Sequence, residues 1–296
     1  MRMRSESQQR AIREDVFRWL DEKLGAGAYE LSRAELESYA FEGERIPLLD
    51  TARGIRNPRD FDATLTVMTS SKSHGYDDEI RPDGLVRYSY QSKDGGDNVK
   101  LRRTYEDNEP LVYFHGVRSG YFVAYYPVYI VHDDPDLRSV YLALDETFRF
   151  FGDPLNMTGD ERSYADRVVR ERLHQPIFRA RVLRAYGATC SVCSLKHAEL
   201  LDAAHIVADG VLSDLAHVTN GLSLCKIHHA AYDHNLLGIS PDYEIRIDRD
   251  LLDEVDGPML RYGLQDMHGR RLALPRRRAS WPDRDRLAHR FDRFAA

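Results

Sequence analysis

The chain has 296 residues, 42% of them hydrophobic and 10% aromatic, a globular composition with room for two domains of ordinary size. A formal net charge of −6 excludes a generally basic nucleic-acid binder, so any contact with DNA must come from local arginine clusters. "MRMRSESQQR" leads into no apolar run and no later segment has the uncharged length of a membrane span, which points to a cytoplasmic protein; its three cysteines then form no disulfide framework and are left for metal or redox chemistry.

In chain order, residues 7–24 place Ile12, Val16, Phe17, Leu20 and Leu24 at helical spacing. "SRAELESYA" then begins a second helix with a serine cap and a glutamate three residues on. From about Asp62 the pattern changes to short β-rich runs, "ATLTVMT", "GLVRYSYQ", "LVYFHGV", "GYFVAYYPVYIV" and "SVYLAL", separated by turn clusters such as "DGGDN" and "VRSGY". These predict a compact sheet or barrel. A polar stretch, "FGDPLNMTGDE", closes this region, and a basic helical pattern follows. The division read from the sequence is a first domain over 1–150, a linker over 151–162 and a second domain over 163–296. In the second, "SYADRVVRERL" meets Pro176 and restarts as "IFRARVLRAYG", ending at Gly187 as a helix C-terminus should.

Cys190 and Cys193 can present two thiolates to one ion from a tight knuckle, and Cys225 and His228 repeat the same two-residue gap. Cys₃His is a closed tetrahedral set for a structural Zn²⁺. Treating these as unrelated small buried residues leaves the matched spacing unexplained. His229 cannot serve the same ion as His228, because adjacent helical residues point about 100° apart. Asp233 lies four residues beyond it on the same face, and such a pair can hold a second, open divalent ion. His234 falls off that face and is expected in solvent. Between the zinc pairs, alternation in "LLDAAHIVADG" predicts a hairpin strand that carries His205 toward His229 and Asp233.

"CSVC…DAAHI…NGLSLCKIHHAAYD" resembles the HNH nuclease module, a ββα-metal fold, and the lead-in "HQPIFRARVLRAYGATC" looks like the approach helix of its restriction-type members. The resemblance covers roughly residues 165–247. It implies that His205 is the general base for water, that Asn220 braces it, and that an ion such as Mg²⁺ or Mn²⁺ at His229 stabilises the leaving oxygen. Family members often carry Asp or His immediately before the first histidine as a metal ligand, and here that position is Ala204. The ion is then left with His229, Asp233, water and phosphate, Asp202 being an outside candidate. The chemistry suits these side chains: phosphodiester hydrolysis needs a base titrating near neutrality and a cation where charge develops.

In the first domain, "SHGYDDEIRPDGLVRYSYQSKDGGD" resembles the core of the SRA (YDG) domain, a PUA-like barrel that binds modified cytosine flipped out of duplex DNA. The expected fold is therefore α+β: an SRA-like β-barrel with flanking helices, then a zinc-containing HNH domain. A pocket for an extruded base needs aromatic faces and polar groups for its Watson–Crick edge. Tyr76 and Tyr88 are the candidate faces, Asp78 or Glu79 the acceptor for the cytosine amine, and Ser89 an added hydroxyl; ordinary strand packing is the competing reading of the tyrosines. "RGIRNP" at 53–58, the arginines of 167–184 and Arg276–Arg278 are candidates for phosphate contacts, against the plainer reading of a solvated face.

The expectation is thus an endonuclease, modification-dependent and type IV-like, acting on double-stranded DNA that carries 5-methylcytosine or a relative. The rivals are an HNH nuclease for unmodified DNA and a non-cleaving zinc-dependent DNA reader. One active centre per chain cuts one strand, so double-strand cleavage calls for a homodimer or two separate events.

Overall fold

Ile12, Val16 and Leu20 repeat down one face of a long first helix, α1 (Glu6–Gly25), and all three are fully buried. The computed structural model of the chain describes residues 3–26, 28–50, 54–69, 79–80, 85–91, 95–151, 153, 155–168, 174–207 and 217–295. It separates into two compact units, Met1–Gly25 with Glu30–Leu173, and Ala26–Tyr29 with His174–Ala296. That division falls past the 151–162 linker read from the sequence.

The amino-terminal unit is built on one mixed sheet. After α1 come β1 (Leu31–Ser32), α2 (Arg33–Glu37), β2 (Ala40–Phe41), β3 (Glu44–Arg45), β4 (Ile55–Arg56), β5 (Thr66–Thr69), β6 (Glu79–Ile80) and β7 (Leu85–Ser89). Then follow α3 (Asp97–Glu106), β8 (Leu111–Arg118), β9 (Tyr121–Asp134), β10 (Ser139–Ala143) and α4 (Gly159–Val168). α2 starts on the capping box expected of Ser32 and Glu35. Helix α3 was hidden behind "DGGDN", which reads as a turn: its buried face offers only Asn98, Leu101 and Thr104. Arg13, 2% exposed, ties α1 to the sheet by donating to the Thr64 and Pro110 carbonyls at 2.8 and 2.7 Å.

The strand order is β4-β5-β8-β9-β10-β7-β6, with β1 added on β9 and with β5 parallel to β8. Three strands separate β5 from β7, which in a flat sheet would hold them roughly 19 Å apart. Yet the Tyr88 hydroxyl on β7 donates to the Met68 carbonyl on β5 at 3.3 Å. The sheet therefore curls as a half-barrel, with Tyr88 spanning its interior. Gly54 makes room for this contact, since a Cβ there would lie 2.5 Å from the Tyr88 hydroxyl.

The carboxy-terminal unit opens with α5 (Gln175–Ala185), with Pro176 in its first turn and Gly187 (φ 62°) just past its end. An antiparallel hairpin follows, β11 (Leu201–His205) with β12 (Gly221–Cys225), running directly into α6 (Lys226–Asp233). A second hairpin, β13 (Leu237–Ile239) with β14 (Ile245–Ile247), precedes α7 (Arg249–Asp253), α8 (Pro258–Gly263) and the closing helix α9 (Arg284–Ala295). The closing helix packs on this unit, where a Cβ at Gly238 would meet the Phe294 ring at 2.4 Å. Among the described residues no helix is long and apolar enough to cross a membrane.

Candidate active site

Two ligand-bearing turns meet at the base of the β11–β12 hairpin. The amide of Ser194 donates to the Cys190 carbonyl at 2.9 Å, and Ser194 takes φ 63°, which closes the knuckle and turns Cys193 back beside Cys190. Cys225 ends β12 and caps α6, so His228 follows one helical turn later. The ligand atoms of Cys190, Cys193, Cys225 and His228 all lie within 4.8 Å of one another. Hydrogen bonds from Cys193 and Cys225 hold the Cys190 thiol low, as a thiolate, and Cys193 is pushed up in return. Burial works against charge on His228, but the Cys190 and Cys225 sulfurs outweigh it and push its pKa up to about 10. The His228 Nε2 lies 2.7 Å from the Gly263 carbonyl at the end of α8. A carbonyl only accepts, so Nε2 carries a proton and Nδ1 is the atom offered to an ion. A thiolate-rich, closed set of this kind could hold Zn²⁺.

The hairpin also carries the candidate base. β11 and β12 pair with His205 opposite Gly221, and helix α5 lies across this end. Phe178 of α5 stacks on the imidazole of His205, ring centroids 3.8 Å apart and planes 8° from parallel. Glycine is required at 221 for that approach, because a Cβ would lie 2.4 Å from Val182 Cγ2 and 2.8 Å from Phe178 Cζ. Asn220, 1% exposed, accepts from the Val207 amide and donates to the Val207 carbonyl, both at 3.0 Å, while its own carbonyl accepts from Ile206. It thus extends the strand pairing past His205 and fixes the backbone on which the imidazole is mounted.

Helix α6 presents Lys226, His229 and Asp233 along one face, three and four residues apart. His229 lies between two carboxylates: its Nδ1 is 3.5 Å from Asp202 Oδ2 and its Nε2 3.4 Å from Asp233 Oδ2. Asp202 sits two residues before Ala204 on β11, so both share one strand face. Ala204 is packed in the core, and Asp202 reaches the histidine in its place. An outside candidate by sequence, Asp202 is in contact with the helix pair. Lys226 Nζ lies 2.5 Å from the same Asp202 oxygen, and Arg179 Nε 3.8 Å from the other. Burial raises the Asp202 pKa, but the hydrogen bond and charge of Lys226, then those of His229, bring it below the usual carboxylate range. An ion takes one ring nitrogen of an imidazole, so His229 can pair with Asp202 through Nδ1 or with Asp233 through Nε2, and either carboxylate–imidazole pair suits a hard divalent ion completed by water and phosphate. His234 is exposed, as its position off this face requires.

Arg179, one of the arginines expected to reach phosphate, instead donates to the Ala198 and Leu201 carbonyls and braces the hairpin. In the amino-terminal unit Tyr76 and Asp78 lie outside the described residues, and Glu79 is described by its backbone alone, paired with Arg87. Tyr88 is 4% exposed. Ser89 follows it directly on β7, so the two side chains point to opposite faces of the sheet and cannot line one pocket together.

Residues 190–240 match the family described as HNH_2: HNH endonuclease. The carboxy-terminal unit carries an HNH endonuclease domain. No curated protein matches the chain. Among solved structures, a "Modification dependent TagI restriction endonuclease" is 14% identical over 81% of this chain and 85% of that one, with a TM-score of 0.30. The "Type IV phosphorothioation-dependent restriction endonuclease ScoMcrA" is 15% identical over 56% of this chain and 49% of that one, with a TM-score of 0.21. Scores of this size do not establish a common fold, and the family match alone places the HNH domain. HNH nucleases use divalent metals, in keeping with the oxygen-rich set around His229.

Proposed function

We propose that the protein is a modification-dependent endonuclease: the carboxy-terminal unit hydrolyses the DNA backbone and the amino-terminal unit reads modified cytosine, 5-methylcytosine or a relative. The observation that supports the nuclease half is the β11–β12 hairpin running into α6, which carries His205, Asn220 and His229 in the order of the family motif, with Asp202 and Asp233 on either side of His229. His205 takes a proton from the attacking water; the new P–O bond forms as the bond to the leaving sugar oxygen breaks. Asn220 keeps the strand end beneath His205 in place, and Phe178 fixes the plane of its ring. His229 and Asp233 would hold the divalent ion, Mg²⁺ or Mn²⁺, with Asp202 on the other side of the imidazole as the alternative ligand. When bound, this ion supplies positive charge to the phosphate and leaving oxygens. Cys190, Cys193, Cys225 and His228 hold a structural Zn²⁺ that anchors the start of α6.

The reading half rests on the likeness of residues 73–97 to the SRA core. Tyr76 stacks on the extruded base, Asp78 or Glu79 accepts from its amine, and one of Tyr88 and Ser89, not both, faces it. The decisive experiment compares one plasmid in methylated and unmethylated form, each incubated with the protein and Mg²⁺ or Mn²⁺. Cutting confined to the methylated copy is expected. Equal cutting of both assigns the domain to unmodified DNA, and binding without cutting under either metal makes the protein a reader.

A further inference from the structure

Lys226 is the part of the site that the cleavage chemistry leaves without a task. It stands on the same face of α6 as His229 and Asp233, and its ammonium lies 2.5 Å from Asp202 Oδ2, the oxygen that also faces His229 Nδ1. We propose that Lys226 is a built-in counter-ion for the cation site: it holds Asp202 while no divalent ion is bound, and gives up that oxygen to contact the DNA phosphate when one enters. This rests on the cation site proposed above.

Charge and geometry both support the exchange. Asp202 and Asp233 bring two negative charges, and Lys226 and Arg179 balance them near the same hairpin. An ammonium and a divalent cation on the same carboxylate oxygen repel one another, so the entry of the ion weakens the hold of a cationic side chain on Asp202. Of the two such residues, the structure distinguishes which is the freer to leave. Arg179 is fixed by the Ala198 and Leu201 carbonyls and approaches the other oxygen, Oδ1. Lys226 is 58% exposed and held by nothing else among the described residues. Its flexible four-carbon stem lets the ammonium swing while Arg179 keeps Asp202 aimed at His229. A released lysine beside a divalent ion is placed for the phosphate which that ion holds, and an ammonium suits phosphate as a point charge.

The test measures Mn²⁺ binding to the full-length protein without DNA, by the electron paramagnetic resonance signal of free Mn²⁺, for wild type, Lys226→Met, Lys226→Arg and His229→Ala. Single-turnover cleavage at saturating Mn²⁺ is followed in parallel. Removing a partly exposed competitor ion pair should tighten Mn²⁺ binding by about two- to fivefold in Lys226→Met. The same variant should cleave more slowly, and Lys226→Arg should restore wild-type Mn²⁺ affinity. Equal or weaker Mn²⁺ binding by Lys226→Met, with His229→Ala still reducing it, overturns the counter-ion role and leaves the cation site standing. Mn²⁺ binding that His229→Ala does not reduce removes the cation site and the counter-ion role with it.

Discussion

Phe178 lies flat against His205, with ring centroids 3.8 Å apart and planes 8° from parallel, and so sets the orientation of the imidazole proposed as the general base. An imidazole on a strand end has free rotation about its side-chain bonds, and a general base must aim one nitrogen at its water. Leucine in place of phenylalanine keeps most of the volume but loses the flat face. Phe178→Leu should lower the single-turnover rate about tenfold and cost under about 1.5 kcal/mol of stability. His205→Ala should lose roughly 10²–10⁴-fold with DNA affinity intact. An unchanged rate and pH profile for Phe178→Leu would make the stacking incidental, and His205→Ala within tenfold of wild type would remove His205 as the base.

Gly221 tests the same contact from the other side. A methyl group there would overlap Val182 and the far edge of the Phe178 ring. Gly221→Ala should destabilise the unit by about 1–3 kcal/mol through overpacking. It should also slow cleavage, because Phe178 is the ring that must move. Thermal melts together with single-turnover rates check this, and a stable variant cutting at the wild-type rate contradicts it.

Asp202 and Asp233 flank His229 from opposite sides. Asp202→Ala and Asp233→Ala should each raise the Mn²⁺ concentration needed for half-maximal cleavage by about tenfold or more, a loss of some 1.4 kcal/mol. Asp202→Ala leaves Lys226 without its carboxylate while removing a ligand, so its effect should be the larger. Metal titrations of the cleavage rate read both, and an unchanged titration for either variant excludes that carboxylate.

Cys190→Ser should release zinc and unfold the carboxy-terminal unit, since binding to such a set is itself folding free energy. The amino-terminal unit has its own core and should keep its share of the circular dichroism. Metal analysis that still finds one tightly held zinc per chain in a Cys190→Ser, Cys225→Ser double variant would contradict the ligand set.

Tyr76 and Tyr88 separate sensing from packing. Tyr76→Ala should weaken binding to methylated DNA about tenfold to a hundredfold and leave unmodified DNA little affected. Tyr88 is buried with its hydroxyl on Met68, so Tyr88→Phe should cost about 1 kcal/mol of stability for the lost hydrogen bond. If Tyr88→Phe discriminates methylated DNA as the parent does while Tyr76→Ala does not, the reading face belongs to Tyr76 alone.

What the sequence disclosed follows physical range. Ligand pairs at fixed spacing are legible because a knuckle or a helical turn is set by a few covalent bonds, as in Cys190/Cys193 and His229/Asp233. The longer strands of the amino-terminal unit are legible because runs of β-branched and aromatic residues between turn clusters are a local signal. Helix α3 is not, since its buried face is mostly polar and follows two glycines. Contacts made by closure of the chain were beyond reach: Asp202 meets Lys226 across 24 residues, and Phe178 finds His205 only after a helix has crossed a hairpin. The curl that brings Tyr88 to Met68 depends in the same way on the whole strand order.

His228 and His229 are neighbours on a helix whose first turn is clamped to three sulfurs. The clamp fixes the rotational phase of everything downstream, as a key fixes a shaft. His229 faces Asp202 because His228 faces Cys190, and a residue inserted between them would turn His229 and Asp233 by about 100° without disturbing Cys190, Cys193, Cys225 or His228. The histidine doublet is therefore a timing mark, and chains that lengthen or shorten this turn while keeping every ligand should bind zinc and cut nothing.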